Sequence, residues 1–210
     1  VTHKFRTPLT HIKWATENLK ISETPDDRRN QIGYIEDANS KLVELTDLLA
    51  NTSEPNDDIY RYRIEDADLS NFADEAIKAL ANHASAKKIS VARDIDPHVH
   101  ALFDASRLKF VLQTLIENGI NYTPEGGSIK VIVKKGQDDA TCSVTDSGIG
   151  IPKHELGLIA TKLYRGERAR STDTEGMGIG LYMSRGIIDR HHGTLTADSQ
   201  GEGKGSTFTF

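Results

Sequence analysis

Residues 144–152 read VTDSGIGIP, and the fold turns on that run. The alternating stretch ATCSVTD (140–146) predicts a strand, so Asp146 stands at a strand end. Gly148 and Gly150 then open backbone conformations closed to other residues. A carboxylate placed there can accept a hydrogen bond from an amino group, and the glycines let a planar base approach the backbone. Taken alone, Asp-Ser-Gly is equally an ordinary turn. The neighbouring segments decide between the two.

Downstream, EGMGIGLYMSRGIIDRHHG (175–193) sets Gly176, Gly178 and Gly180 ahead of an apolar helix through Leu181, Met183, Ile187 and Ile188. Backbone N–H groups at a helix start form an anion site suited to phosphates. The spacing is not a Walker A loop, because no Gly-Lys-Ser/Thr follows a four-residue gap. Nor is it a Rossmann fingerprint, because no strand immediately precedes it. Between the two glycine loops lies ATKLYRGERARSTDTE (160–175), polar and rich in arginine. It reads as a mobile lid with Arg165 able to reach a phosphate, and a disordered surface loop is compatible with that.

Upstream, SIKVIVKKG (128–136) pairs with 140–146 through a turn at QDD. A strong amphipathic helix is predicted from Asp104 to Tyr122, ending LIENGINYTPEGG (115–127). Leu108, Leu112, Leu115 and Tyr122 form its buried stripe, with Thr114, Glu117, Asn118 and Asn121 on the other side. Two asparagines at that spacing can also be solvated surface or a C-terminal cap. Further strands are predicted at 60–64, 89–95, 100–104, 193–199 and 205–210, and a helix at 69–86. Mixed strands and helices with adjacent strand pairs make an α+β sandwich over residues 60–210.

The first 53 residues read differently. Phe5, Leu9, Ile12 and Leu19 mark one helical face, and Ile35, Ala38, Leu42, Leu45 and Leu49 a heptad seam on a second helix. SETP (22–25) breaks the pattern, with Thr24 as N-cap, Pro25 at the first helical position, and Asp26 and Asp27 at the positive helix start. A short turn between two such helices gives an antiparallel hairpin. The hairpin can cover its apolar faces by pairing with a second copy as a four-helix bundle or by packing on its own C-terminal domain, and the homodimer is favoured. NTSEPNDD (51–58) is a polar linker.

His3 lies about 200° from Phe5 and about 180° from Ile12 around the helix, opposite its apolar face. Pro8 removes a hydrogen bond to Lys4 and crowds its carbonyl, so the helix should loosen there. A neutral imidazole in such a place is a competent nucleophile, although a lone exposed histidine is commonly plain surface.

The formal net charge of −5 offers no basic field to nucleic acid. No apolar run approaches the roughly 20 residues needed to span a bilayer, and no secretory signal is visible. A single cysteine, Cys142, suits a reducing compartment. The chain opens on Val1 and directly on a motif, which reads as a piece of a longer protein.

HKFRTPLTHI (3–12) resembles the H-box of sensor histidine kinases, usually His-Glu-Leu-Arg-Thr-Pro-Leu. His3, Arg6, Thr7, Pro8 and Leu9 match it, and Lys4 stands where the family has an acid. LIENGINYT then resembles the N-box, DSGIGIP the first glycine box, LYRGE the lid motif and GMGIGL the second glycine box. The order of these boxes resembles the GHKL (Bergerat-type) ATPase domain of histidine kinases over essentially the whole chain. The resemblance implies ATP and Mg²⁺ as cofactors, with Asn118 on the metal and Tyr122 near the nucleotide. It puts Asp146 on adenine and has Gly148, Gly150, Gly176, Gly178 and Gly180 shape the pocket beside Leu181. Thr207 adds an adenine contact. The family often has asparagine at Thr114, a cation at Asn121 and phenylalanine at Leu163.

The implied reaction is phosphorylation of His3 and transfer to an aspartate on a response-regulator receiver domain. Thr7 occupies the position linked to dephosphorylating that regulator. The implied place is the cytoplasm, with the longer protein a candidate for the cell inner membrane. A second reading takes Lys4 as disabling autophosphorylation and leaves an ATP-driven switch or a phosphatase. A chaperone or topoisomerase ATPase is disfavoured by the H-box and the hairpin.

Overall fold

The computed structural model describes residues 2–22, 24–50, 62–137, 139–173, 176 and 178–210. The chain forms two compact units, Val1–Ile59 and Tyr60–Phe210. Among the described residues no helix is long and apolar enough to cross a membrane.

The first unit is a helical hairpin of α1 (Thr2–Ile21) and α2 (Pro25–Ala50). Its turn shows how the start of α2 is written. The Asp27 N–H donates to Thr24 Oγ1 at 3.1 Å, and that hydroxyl donates to the Asp27 carboxylate at 2.5 Å. Pro25 takes the first helical position, where its missing N–H is no loss. Pro8, Ala15 and Ala38 are buried, and α1 runs through Pro8 as a helix. Leu9, expected on the buried face, is 54% exposed. Among the described residues the single hairpin buries Pro8, Ala15 and Ala38 in place of Leu9. Trp14 meets Tyr34 edge-on across the hairpin, ring centroids 6.3 Å apart. The side chains of His3, Lys4, Thr7, Leu45 and Leu49 lie outside the described residues.

The second unit runs β1 (Glu65–Asp68), α3 (Leu69–Ala86), β2 (Ser90–Ile95), β3 (His100–Phe103), α4 (Ala105–Tyr122), β4 (Ser128–Lys135), β5 (Ala140–Asp146), α5 (Glu167–Thr172), α6 (Gly180–Arg190), β6 (Thr196–Asp198) and β7 (Ser206–Thr209). A five-stranded sheet has the order β2-β4-β5-β7-β6. Its β2–β4 pair is parallel and the others antiparallel. Strands β1 and β3 form a separate antiparallel pair. The first strand therefore begins at Glu65, later than the expected 60–64. Pairing with β3 and the role of Asp68 as N-cap of α3 put it there. Residues 60 and 61 lie outside the described set.

The core fills one face of the large sheet. Leu112, Leu115, Ile116 and Ile120 of α4 join Ile129, Val131, Val133, Cys142 and Val144 of the strands, Leu69 and Ala73 of α3, and Ile187 and Ile188 of α6. Helix α4 packs against both α3 and α6. Its buried surface is thus wider than one stripe and takes in Val111, Ile116 and Ile120, while Tyr122 is half-buried. The opposite sheet face carries hydroxyls, with Ser143 to Thr209 at 2.9 Å and Thr145 to Thr207 at 3.0 Å. Side chains alternate along a strand, so Asp146, paired with Ser206, falls on the helix-covered face.

Asp104 anchors the start of α4 and is 5% exposed. Its Oδ1 accepts from the N–H groups of Ser106 and Arg107 at 2.9 and 3.1 Å and from Ser106 Oγ at 2.6 Å. Its Oδ2 accepts from the Arg63 N–H at 2.8 Å, which pins the chain entering the unit. Its own N–H donates to His191 Nε2 at 2.9 Å, while His191 Nδ1 lies 2.8 Å from the Ile187 carbonyl. That pair of bonds selects the Nδ1–H tautomer.

Burial alone would raise the Asp104 carboxyl, but the Ser106 hydroxyl and the Arg63, Arg107 and Ser106 N–H groups hold it at about 2. The folded pKa lies below the ordinary 3.8, so the stabilisation is present above that value and lost as pH falls through about 2. Asp104→Asn is expected to cost about 2 kcal/mol near neutral pH. Urea denaturation should show the difference from wild type shrinking as pH drops from about 4 to about 2.

Candidate nucleotide-binding site

Three segments meet at Asp146: the end of α4 at Gly119, the loop after β5 at Gly148, and the start of β7 at Ser206. Asp146 is 8% exposed. Its Oδ1 accepts from the Gly148 N–H at 2.8 Å and the Ser206 N–H at 3.2 Å, and its Oδ2 from Ser206 Oγ at 2.6 Å. Burial pushes the carboxyl above the ordinary range, and the bonds from Ser206 and Gly148 pull against that. A carboxylate has about four lone-pair sites. The three bonds from Gly148 and Ser206 leave Oδ2 able to accept one more donor, which fits the exocyclic amino group of adenine.

Ser206 was not predicted, and Thr207 was. Thr207 bonds Thr145 on the opposite sheet face, so it shares no face with Asp146. The signal was available in GSTFTF: Phe208 must face the core, and a period of two then turns Ser206 to the same side.

The glycines serve the chain's own packing. Gly150 has φ +67°, and a Cβ there would overlap the Gly201 carbonyl oxygen. Gly178 has φ +70°, and a Cβ would come within 2.6 Å of the Tyr164 carbonyl oxygen. A Cβ at Gly148 would sit 2.5 Å from the Tyr122 carbonyl oxygen, which already accepts the Ile149 N–H at 3.0 Å. Gly180 faces Thr114 of α4, and Gly176 faces Arg165 and Asp173. The expected room for a base is therefore first of all room for neighbouring backbone.

Helix α6 begins at Gly180 with no side-chain cap on its first turn and no acid there. Those N–H groups are available to an anion, with Leu181 half-buried beside them.

The first glycine loop leads into turns over 153–163 before the short α5. Leu163, at φ 63°, donates its N–H to the Gly178 carbonyl at 3.0 Å. Arg165, read from the sequence as able to reach a phosphate, is held here by its own segment. Its guanidinium donates to the carbonyls of Gly176 and Ala169 at 2.8 Å each and to that of Asp173, and it lies 3.5 Å from the Asp173 carboxylate. The carbonyls of Ala169, Asp173 and Gly176 converge on the planar fork and suit it as acceptors. Arg168, not singled out from the sequence, bridges the Ile149 carbonyl and Glu202, each at 3.3 Å.

Asn118 and Asn121 are half-buried on the last turns of α4. His3, Lys4 and Thr7 belong to α1, in the other unit.

Residues 103–210 match the family described as histidine kinase-, DNA gyrase B-, and HSP90-like ATPase. The chain belongs to this ATPase family. It is 29% identical over 209 residues to the heme sensor protein HssS of Staphylococcus saprophyticus, covering all of this chain and 44% of that one. It is 27% identical over 215 residues to the sensor histidine kinase WalK of Bacillus subtilis, covering all of this chain and 35% of that one. The chain thus spans less than half the length of either relative. The catalytic domain of histidine kinase ThkA superposes with a TM-score of 0.62 at 25% identity, over 70% of this chain and 93% of that one. ThkA in complex with the response regulator TrrA superposes over the whole chain and 58% of that one, at 0.67 and 22% identity. Within the ATPase family the likeness is therefore to the catalytic core of two-component sensor kinases.

Proposed function

We propose that the chain is an ATP-dependent protein-histidine kinase core that phosphorylates His3 and passes the group to an aspartate of a receiver domain. The observation that carries the nucleotide half is Asp146: buried at a strand end, bonded by the first glycine loop and by Ser206, with one acceptor position left. That position takes the amino group of adenine. The uncapped start of α6 takes phosphate oxygens. Asn118 offers an amide oxygen of the class Mg²⁺ accepts, and the metal when bound supplies neutralisation of phosphate charge.

The kinase half rests on the H-box at His3 and on the sensor-kinase relatives. A neutral His3 Nε2 attacks the γ-phosphorus, the bond to the β–γ bridging oxygen breaks, and ADP leaves. Thr7, one turn on, is the candidate for the reverse task of dephosphorylating the regulator. The relatives' names give the second reading, a switch without kinase activity, no support of its own. Leu9, Trp14, Ile21, Ile32 and Tyr34 are 46–76% exposed on the single hairpin, which supports pairing of two chains as a four-helix bundle. ATP and a receiver domain as substrates suit a reaction in the cytoplasm, with the longer protein a candidate for the inner membrane.

The test is incubation of the chain with γ-labelled ATP and Mg²⁺. Label that is acid-labile and base-stable is the expected result, as phosphohistidine requires. Nucleotide binding without any label refutes the kinase half and leaves the nucleotide half standing.

A further inference from the structure

A helix leaves its last four carbonyls without partners of its own. In α4 the four from Gly119 to Tyr122 are all satisfied, the first by the C-cap residue and the other three from outside the helix. The Gly119 carbonyl takes the Thr123 N–H at 3.1 Å, and the Tyr122 carbonyl takes the Ile149 N–H of the first glycine loop at 3.0 Å. The two between them, Ile120 and Asn121, both accept from Lys87 Nζ, at 2.8 and 2.7 Å. The last turn of α4 holds no basic residue of its own, so the cation that complements its negative end comes from the turn between α3 and β2. That turn is itself fastened to the end of α4. The Gly126 N–H donates to the Lys87 carbonyl at 3.4 Å, and Lys88 pairs with Glu125 at 2.6 Å.

The ammonium therefore grips, from behind, the turn that presents Asn118 and Asn121. Through the next carbonyl the same turn holds Ile149 beside Gly148, and Gly148 donates to Asp146. Release of the two carbonyls would leave the asparagines and the glycine loop free to shift together, away from both ends of a bound nucleotide.

We infer that Lys87 is a positioning residue for Mg-ATP, fixing the last turn of α4 and the loop behind the adenine site; this rests on the nucleotide reading above. The role differs from general stabilisation in what it moves. A structural lysine alters the amount of folded protein. A positioning lysine alters nucleotide affinity in protein that is folded.

The experiment compares wild type, Lys87→Met, Lys87→Arg and Lys88→Met by calorimetric titration with Mg-ATP, with melting curves and autophosphorylation kinetics on the same samples. Lys87→Met keeps the alkyl stem and loses charge and donors. It is expected to weaken binding about tenfold, as loss of a charge-assisted bond does. KM for ATP should rise by a similar factor with kcat at saturating ATP kept. Lys87→Arg should bind within about threefold of wild type because it retains charge and donors. Lys88→Met loses only a solvent-exposed pair with Glu125 and touches no carbonyl of α4, so it should bind within about twofold of wild type. Equal affinity in wild type and folded Lys87→Met overturns the inference while leaving the nucleotide reading intact. So does a Lys87→Arg as weak as Lys87→Met. If Lys87→Met fails to fold, Lys87→Gln decides by the same criterion. A wild type that binds no Mg-ATP overturns the nucleotide reading and the role of Lys87 with it.

Discussion

Asp146→Asn is expected to weaken Mg-ATP binding about 100-fold while leaving the protein at least as stable as wild type. In the native site Oδ1 collects the Gly148 and Ser206 N–H groups, and Oδ2 collects the Ser206 hydroxyl and is left to receive the adenine amino group. An asparagine that keeps its oxygen on the two N–H groups turns its NH₂ toward the base, where donor meets donor. The variant loses a bond to a charged acceptor and leaves an amino group unpaired, each worth roughly 1–3 kcal/mol.

The stability prediction follows from the sign of the pKa shift. Burial raises the Asp146 carboxyl above its unfolded value, so the ionised form is disfavoured in the fold, and that cost is present at neutral pH. A neutral amide removes it. Titration calorimetry and a melting curve on one sample check both claims. ATP bound by the variant as by wild type would remove Asp146 from the site. In wild type, affinity should fall with acidification at a higher pH than an ordinary carboxylate would give, because only the ionised form offers Oδ2 as acceptor.

Elements that begin at their own caps could be read without coordinates. Thr24 and Pro25 announce α2, and the helix predicted from Asp104 starts at that residue as its cap, because a cap acts within three residues of itself. Asp146 could be read for the same local reason, as a carboxylate between a strand and a glycine loop. What escaped were partnerships between distant segments. Ser206 reaches Asp146 across 60 residues, and Lys87 reaches Asn121 across 34. Neither has a signature in its own neighbourhood. Arg165 shows the converse. Its surroundings in sequence are polar and read as a lid with the side chain able to reach a phosphate, yet the carbonyls of Ala169, Asp173 and Gly176 hold it within its own segment. Leu9 is a third kind of case. Periodicity marks an apolar face without saying what covers it, and the single hairpin buries Pro8, Ala15 and Ala38 while leaving Leu9 on the surface proposed to pair with a second chain.

His3→Ala is expected to abolish labelling from γ-labelled ATP, a loss beyond about 1000-fold, with Mg-ATP affinity unchanged. The two effects separate because His3 belongs to the hairpin unit and Asp146 to the other. The hairpin itself should survive. His3 lies at the start of α1, about 180° from Ile12 on the helix, so its loss takes nothing from the seam at Ala15 and Ala38. Alanine also raises helix propensity at that position. Acid-labile label that persists in His3→Ala would mean another residue accepts the phosphoryl group, and His11 on the same helix would be the next to test. Mixed with Asp146→Asn, the His3→Ala chain divides the labour: one copy binds ATP without an acceptor, and the other carries His3 without a nucleotide. Label returns to the mixture if the group crosses between the two chains of a dimer, and stays absent if each chain phosphorylates itself, provided the mixed dimer is shown to form.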